Sequence, residues 1–296
     1  MKIVIASGKG GTGKTLVATS LALVAQQIGR TVLLDTDVEE PNAALFLQPT
    51  FHSERAVEQM VPLVDEALCT HCGRCAEVCQ YNAIAVVPNK TLVFGELCHG
   101  CGSCAMHCPA GAIREVPKTI GRIQTGIASG LVAEKGIPFA QGELQVGEAM
   151  ATPIIRALKR YAREEGWEQA DWMIQDAPPG TACPVIEALR DADIALLVTE
   201  PTPFGLHDLR MAVQVARDVL SLPVGVVINK DGTGDQGVEM YCRQENLPIL
   251  MRLPLRREIA SSYAAGIPLV QSHPEFVVAF AGLLRNIHRL VQGGAS

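Results

Sequence analysis

Short aliphatic runs recur along the chain, separated by stretches in which apolar residues return every three to four positions. Lys2–Ala6, Thr31–Asp35, Trp172–Asp176, Ile194–Thr199, Val224–Asn229 and Ile249–Leu253 lack a polar face, as strands buried on both sides do. Helical patterning falls at Lys14–Gln27, Gly147–Glu165, Pro184–Asp191, Leu206–Leu220 and Gln236–Gln244. Strand and helix therefore alternate, which predicts an α/β fold built on a doubly wound, mostly parallel sheet. A last helix over Pro274–Val291 puts Phe276, Phe280, Leu283, Leu284, Ile287 and Val291 on one face, as packing against a core requires. Membrane targeting, its other reading, is weakened by an acidic start and modest basic content.

The alternation stops between about Pro62 and about Lys118. This stretch holds two copies of one unit, Cys69-Thr-His-Cys-Gly-Arg-Cys-Ala-Glu-Val-Cys79 and Cys98-His-Gly-Cys-Gly-Ser-Cys-Ala-Met-His-Cys108. Each is followed by an Ala-Ile pair, Ala83-Ile84 and Ala112-Ile113. The repeat predicts a small pseudo-symmetric α+β domain over 62–118, inserted into a larger domain formed by 1–61 and 119–296. Gly121–Gly147, rich in glycine and weakly periodic, is expected to be an irregular return path.

Composition narrows the class. A hydrophobic content of 48% with 19% charged residues fits a globular chain, and the scarcity of aromatics suits aliphatic strands. The formal net charge of -6 argues against a general nucleic-acid binder. The chain opens on a strand-like run with no secretory signal, so a cytoplasmic protein is expected. Val277–Leu284 is among the longest apolar stretches and is far too short to span a bilayer, so stable membrane insertion is not expected. In that setting the ten cysteines are not expected to pair as disulfides, and eight of them lie between Cys69 and Cys108. Metal is the first explanation.

Ser7–Thr15 follows the first strand, opens the first helix, and satisfies G-x-x-x-x-G-K-[ST] from Gly8 to Thr15. Gly8, Gly10, Gly11, Thr12 and Gly13 form a loop whose N–H groups can wrap phosphates, aided by the dipole of the following helix. Lys14 is the candidate for the β- and γ-phosphates, and the Thr15 hydroxyl for Mg²⁺.

Lys9 narrows the match. The loop Gly8-Lys-Gly-Gly-Thr-Gly-Lys-Thr15 resembles the deviant Walker A motif of the MinD/ParA/Mrp ATPases, a group that also takes in nitrogenase iron protein and arsenite-pump ATPases. The resemblance implies a homodimer in the ATP-bound state, with Lys9 reaching the partner's phosphates and stabilising transition-state charge there. Val32-Leu-Leu-Asp35-Thr-Asp37, with Pro41-Asn42, resembles the family's second strand. It implies that Asp37 orients the attacking water and that Asp35 serves the Mg²⁺ shell or the loop's geometry. Met173-Ile-Gln-Asp176-Ala-Pro-Pro-Gly180-Thr181 resembles the Walker B strand and switch loop of the Mrp branch. Asp176 would hold Mg²⁺ through water, and Gly180 would sense the γ-phosphate. Asn229, ending a strand, is assigned to the purine base, and Gly232 in place of a GTPase-type Asp favours ATP over GTP. Leu253–Ile259, including Pro254, resembles a later loop packed near the base. The resemblance covers residues 1–50 and 140–270.

Each cysteine unit has the spacing C-x₂-C-x₂-C-x₃-C of bacterial two-cluster ferredoxins. In such modules the fourth cysteine of each run ligates the other cluster. One 4Fe–4S cluster would then take Cys69, Cys72, Cys75 and Cys108, and the other Cys79, Cys98, Cys101 and Cys104. Zinc competes for thiolates, but the paired ferredoxin spacing favours iron–sulfur clusters. Gln80 stands where the pattern has proline after Cys79. His71, His99 and His107 read as spacers, because thiolates already complete both ligand sets. Cys183, after the switch loop, reads as a buried helix-start cysteine or as an interface cysteine able to ligate a bridging cluster. Cys242 reads as a helix-face cysteine. The separate C-x-x-C that bridges dimers of Mrp-type cluster carriers is absent.

These signals predict an ATP hydrolase, slow without its partner, that binds ATP, Mg²⁺ and two 4Fe–4S clusters and couples hydrolysis to electron transfer. A redox or metalloprotein partner of unknown identity is implied. The alternative is an ATPase that assists iron–sulfur or other metallocofactor assembly, with clusters that are structural or redox-sensing. A positioning ATPase like MinD is disfavoured, because positioning needs no clusters.

Overall fold

In a computed structural model, which describes residues 1–131 and 136–293, the chain runs as follows. The first layer is β1 (Lys2–Ala6), α1 (Lys14–Ala25), β2 (Thr31–Asp35) and α2 (Ala43–Leu47). A long excursion comes next: β3 (Thr50–Val64), α3 (Arg74–Glu77), β4 (Ile84–Val87), β5 (Lys90–Val93), α4 (Ser103–Met106) and β6 (Ile113–Ala128). β7 (Ile137–Leu144), α5 (Ala151–Glu164), β8 (Trp172–Asp176), α6 (Cys183–Leu189), β9 (Ile194–Thr199) and α7 (Pro203–Val213) return to the body. β10 (Val224–Asp231), α8 (Gly237–Gln244), β11 (Ile249–Pro254), α9 (Arg257–Ala264), α10 (Leu269–Ser272) and α11 (Phe276–Gly293) close the chain.

Nine strands form one sheet in the order β11-β10-β9-β1-β8-β2-β7-β6-β3. Pairing is parallel from β11 to β7 and antiparallel through β6 and β3. The alternation of each strand splits the core in two. Val4, Val32, Leu34 and Leu197 face α5, α6, α7 and α8, while Ile3, Ile5, Leu33 and Leu196 face α1, α10 and α11. This is the doubly wound α/β arrangement expected from the alternation. α1 is buried on nearly every side, which explains its lack of a polar face. On α11, Phe276, Phe280, Leu283, Leu284 and Ile287 are buried and Val291 packs against the same core. No helix among the described residues is long and apolar enough to cross a membrane.

The expected irregular path over Gly121–Gly147 is a correction. Its described residues, outside 132–135, are largely strand, the inner half of β6 and all of β7. The glycines read as breakers are there because neighbours come close. A Cβ on Gly121 would stand 2.3 Å from Glu143 O and 2.4 Å from Ile154 Cδ1, and one on Gly142 would stand 2.7 Å from Val38. α5 begins at Ala151 rather than at Gly147, and α7 starts at Pro203 and continues as a wider π-helical turn over 214–219.

Beyond β7 the sheet narrows to a two-strand ribbon of β3 and β6. Positions 62 and 118 fall inside these strands, so the chain crosses both without a break. Pro117 and Pro62 are tolerated because β3 is an edge and β7 pairs with β6 only from Gly121 onward. Both cysteine units hang from the ribbon's end, with the small β4–β5 hairpin between them.

Candidate functional site

The phosphate loop spans β1 and α1. Gly11 and Gly13 take φ of +76° and +95°, and a Cβ on Gly13 would meet Asn229 Nδ2 at 2.4 Å. A Cβ on Gly8 would strike the backbone of Asp208 at 2.2 Å. Gly10 faces open space, and Thr12 is buried with its hydroxyl unpartnered. Lys14 is buried, as one fixed loop cation requires.

Three carboxylates converge below the loop. The Thr15 hydroxyl donates to Asp176 Oδ2 at 2.5 Å, while Asp176 Oδ1 is buried without a partner. Asp35 accepts from the N–H of Asp37 at 3.1 Å and of Ala43 at 2.9 Å, so its carboxyl is committed to shaping the loop that carries Asp37. Burial, then the neighbouring Asp176, raises the Asp35 carboxyl well above its usual range. Burial pushes Asp37 up to about 7 and Asp176 up to about 6, against the pull of the Lys14 ammonium on both. Crowding and burial thus favour the protonated acids, and the Lys14 ammonium opposes this at Asp37 and Asp176. Gly180, at φ +96°, donates its N–H to Ser7 O at 2.9 Å and so ties the switch loop to the phosphate loop.

Lys9 Nζ lies 3.5 Å from Glu200 Oε2, and Lys230 Nζ lies 2.5 Å from Glu200 Oε1. One carboxylate thus holds two lysines over the loop, a contact that no motif announced. Asn229 donates from Nδ2 to Thr12 O at 2.8 Å and accepts from Lys230 N at 2.9 Å. Its amide braces the loop, yet it also lines an open cleft with Lys230, Pro254, Ile259 and Tyr263. Tyr263 was not anticipated, because a lone tyrosine on a short helix carries no spacing signal.

The cysteines form two cavities. One is lined by Cys69, Cys72 and Cys75 from the first unit and Cys108 from the second. The other is lined by Cys98, Cys101 and Cys104 from the second unit and Cys79 from the first. The two units repeat their backbone as well as their sequence. His71, Gly73 and Asn82 have positive φ in the first, and Gly100, Gly102 and Gly111 at matching positions in the second. Ala83 N donates to Cys79 Sγ and Ala112 N to Cys108 Sγ, both at 3.3 Å, and Gly100 N donates to Cys98 Sγ at 3.4 Å. Burial pushes the thiols of Cys75, Cys98 and Cys104 up. Of the three spacer histidines, His71 faces Cys69 and His99 stacks on Tyr81 with ring centroids 3.6 Å apart.

The two remaining cysteines differ from each other. Cys183 is exposed at the start of α6, which corrects the buried reading. Pro184 follows it and the switch loop precedes it, so the side chain has no core to enter. Cys242 is buried on α8 and burial pushes its thiol up to about 11.

A hydrogen-bonded path runs from the Asp37 loop to the root of the ribbon that carries the cysteines. Val38, next to Asp37, accepts at its carbonyl from Leu144 N at 2.7 Å, and Leu144 pairs with Gly121 at the root of the ribbon. Gln145 N donates to Ile120 O at 2.9 Å, and Lys118 Nζ pairs with Glu148 at 2.8 Å.

Residues 3–269 match the family described as the CobQ/CobB/MinD/ParA nucleotide binding domain. An uncharacterised protein of Methanocaldococcus jannaschii is 37% identical over 235 residues, covering 78% of this chain and 79% of its own. A Methanococcus maripaludis protein named iron-sulfur cluster carrier protein is 24% identical over 287 residues, covering 91% of this chain and 78% of its own. The septum site-determining protein MinD of Pyrococcus horikoshii, solved with Mg-ADP, shares the fold with a TM-score of 0.57 at 18% identity, over 97% of this chain and 96% of that one.

Proposed function

The chain belongs to the CobQ/CobB/MinD/ParA family of nucleotide-binding domains, and from that premise we propose that it is a dimerising Mg-ATPase coupled to electron transfer through two 4Fe–4S clusters. Residues 62–118 are the ferredoxin domain in this reading, and 1–61 with 119–296 the ATPase domain. The observation that carries it is the path from the Asp37 loop through Val38 and Leu144 to the one ribbon that bears both cysteine cavities.

The residues suit the groups they would hold. Two sets of four soft thiolates, some already receiving backbone N–H, suit clusters better than a hard cation. The unpartnered Oδ1 of Asp176 beside the Thr15 hydroxyl suits hydrated Mg²⁺. When bound, ATP supplies a phosphoanhydride to hydrolyse, and each cluster the capacity to carry one electron. Lys14 and the N–H groups of 8–15 hold the phosphates, Asp37 orients the attacking water, and Asp35 fixes the loop that presents it. Gly180 reports the γ-phosphate to the switch loop. Asn229 and Pro254 border the base. Lys9 must leave Glu200 before it can reach a partner's nucleotide, which links ATP binding to dimerisation.

Anaerobic ATPase turnover measured against redox state, together with cluster potentials measured with and without nucleotide, tests the coupling. Turnover indifferent to redox state, with potentials unmoved by nucleotide, would sink it. Lys9→Ala should still bind ATP but lose ATP-driven dimerisation and turnover; unchanged sedimentation and hydrolysis would remove the trans role.

The relatives named as cluster carriers favour a second reading, an ATPase that assists iron–sulfur or other metallocofactor assembly. Delivery of radiolabelled iron and sulfide to an apo-acceptor protein separates the two. Transfer that leaves the eight ferredoxin-spaced cysteines empty supports assembly, and retention supports electron transfer.

A further inference from the structure

The two cysteine cavities share a backbone but not their surroundings. At the first, the Thr91 hydroxyl lies 3.4 Å from Cys69 Sγ, and His71 Nδ1 lies 3.7 Å from the same sulfur and 3.5 Å from Thr91 Oγ1. Thr91 is buried on β5. Glu66 organises the pair from behind: its Oε1 accepts from Thr91 N at 3.2 Å, and its Oε2 stands 3.8 Å from His71 Nε2. A thiolate bound to iron would only accept hydrogen bonds, so Thr91, and His71 in the tautomer that carries its proton on Nδ1, would donate toward Cys69.

His71 is held there at a cost. Its φ is +53°, a left-handed conformation that glycine adopts freely and that strains most other residues. The matching residue of the second unit is Gly100, where the strain vanishes and the backbone N–H reaches Cys98 Sγ instead. The first unit thus keeps a strained side chain where its twin keeps none, and that side chain points at the sulfur.

An acid stands near each cavity: a Glu66 carboxylate oxygen lies within 4.8 Å of Cys69 Sγ at the first, and Glu115 stands at the second. Glu115 lines it, and a Cβ built on Gly102 would stand 3.2 Å from Glu115 Oε2. Among the described residues, no side-chain hydroxyl or imidazole is hydrogen-bonded to Cys79, Cys98, Cys101 or Cys104. Hydrogen bonds to sulfur raise a cluster's reduction potential, and nearby negative charge lowers it.

We propose that Thr91 and His71 are positioning residues that raise the potential of the centre bound by Cys69, Cys72, Cys75 and Cys108 above that of the centre beside Glu115. This rests on the two-cluster reading above. With both centres filled, the Cys69 centre would be the first to take one electron from an external low-potential reductant, which would lose one electron in return. The Glu115 centre would take the second electron at lower potential.

The test is a redox titration of the full-length holoprotein, followed by electron paramagnetic resonance, with iron and sulfide assayed in every sample. Wild type should titrate in two resolved steps. Thr91→Val should lower the upper step alone, and Thr91→Ser should restore it. His71→Gly should also lower the upper step while relieving backbone strain, a combination that a merely structural role does not produce. Glu115→Gln should raise the lower step. Upper steps unmoved by Thr91→Val and His71→Gly in fully loaded protein overturn the inference alone. A chain that binds fewer than two clusters overturns the two-cluster reading and this inference with it.

Discussion

The body and the excursion are stabilised by different means. In the body, dozens of apolar side chains on both faces of the sheet are removed from water, Ile3, Ile5, Leu33, Phe139 and Ile154 among them completely. At the ribbon's end the buried clusters are tiny: Val61, Ala83 and Cys98 form one, and Cys75, Ile84 and Cys104 the other. There the candidate metal ligands are themselves the core. A region so small offsets little of its chain entropy by apolar burial, and under the proposed reading bound metal would supply the difference. The body should be foldable by sequence pattern alone, and the excursion only by its chemistry.

The sharpest way to break this contrast is to strip iron from the protein with a chelator. Amides over 65–112 should lose their hydrogen-exchange protection wholesale, while those of β1, β8 and β9 keep theirs. Equal protection before and after would mean that apolar packing suffices at the ribbon's end. Next in size, Ile154→Ala opens a cavity between α5 and the sheet and should cost about 2–5 kcal/mol of the body's stability. Denaturant unfolding measures that loss, and iron content at native conditions should not change. Smallest is Glu200→Gln, which frees Lys9 and Lys230 from a partly exposed carboxylate. Contacts of this kind are worth at most about 1 kcal/mol, so the ATP concentration for half-dimerisation, read by sedimentation, should fall by no more than about fivefold. A rise would mean that Glu200 aims Lys9 productively rather than restraining it.

The contrast also explains what the sequence made legible. β1, β2, β8 and β9 match their expected bounds, because strands buried on both faces are continuous apolar runs. The phosphate loop was equally plain, since its glycines, Lys14 and Thr15 each answer a geometric demand. β3 and β6 were hidden. In β3 buried Val57, Gln59 and Val61 alternate with exposed Glu58 and Met60, a period masked because the buried Gln59 is polar and the exposed Met60 apolar, and Pro62 and Pro117 argue locally against a strand. Gly121, Gly126 and Gly142 look like turn residues until the neighbours pressing on them are known. The Lys9–Glu200–Lys230 bridge joins residues from three distant parts of the chain, and no local spacing encodes it.

The ribbon has a mechanical meaning. From Ile113 to Ile120, β6 runs beyond the reach of β7 and pairs as a strand with β3 alone among the described residues, an overhang of roughly 25 Å at about 3.3 Å per residue. Its root is pinned where Leu144 is hydrogen-bonded to Val38, one residue from Asp37. A tilt of only ~10° at that pivot would swing the far end by ~4 Å over such a length. The ribbon is a lever arm whose short end rests on the loop that would feel phosphate loss. Its long end carries the cysteines, so under the proposed coupling a shift of that size would displace both cavities relative to the phosphate loop.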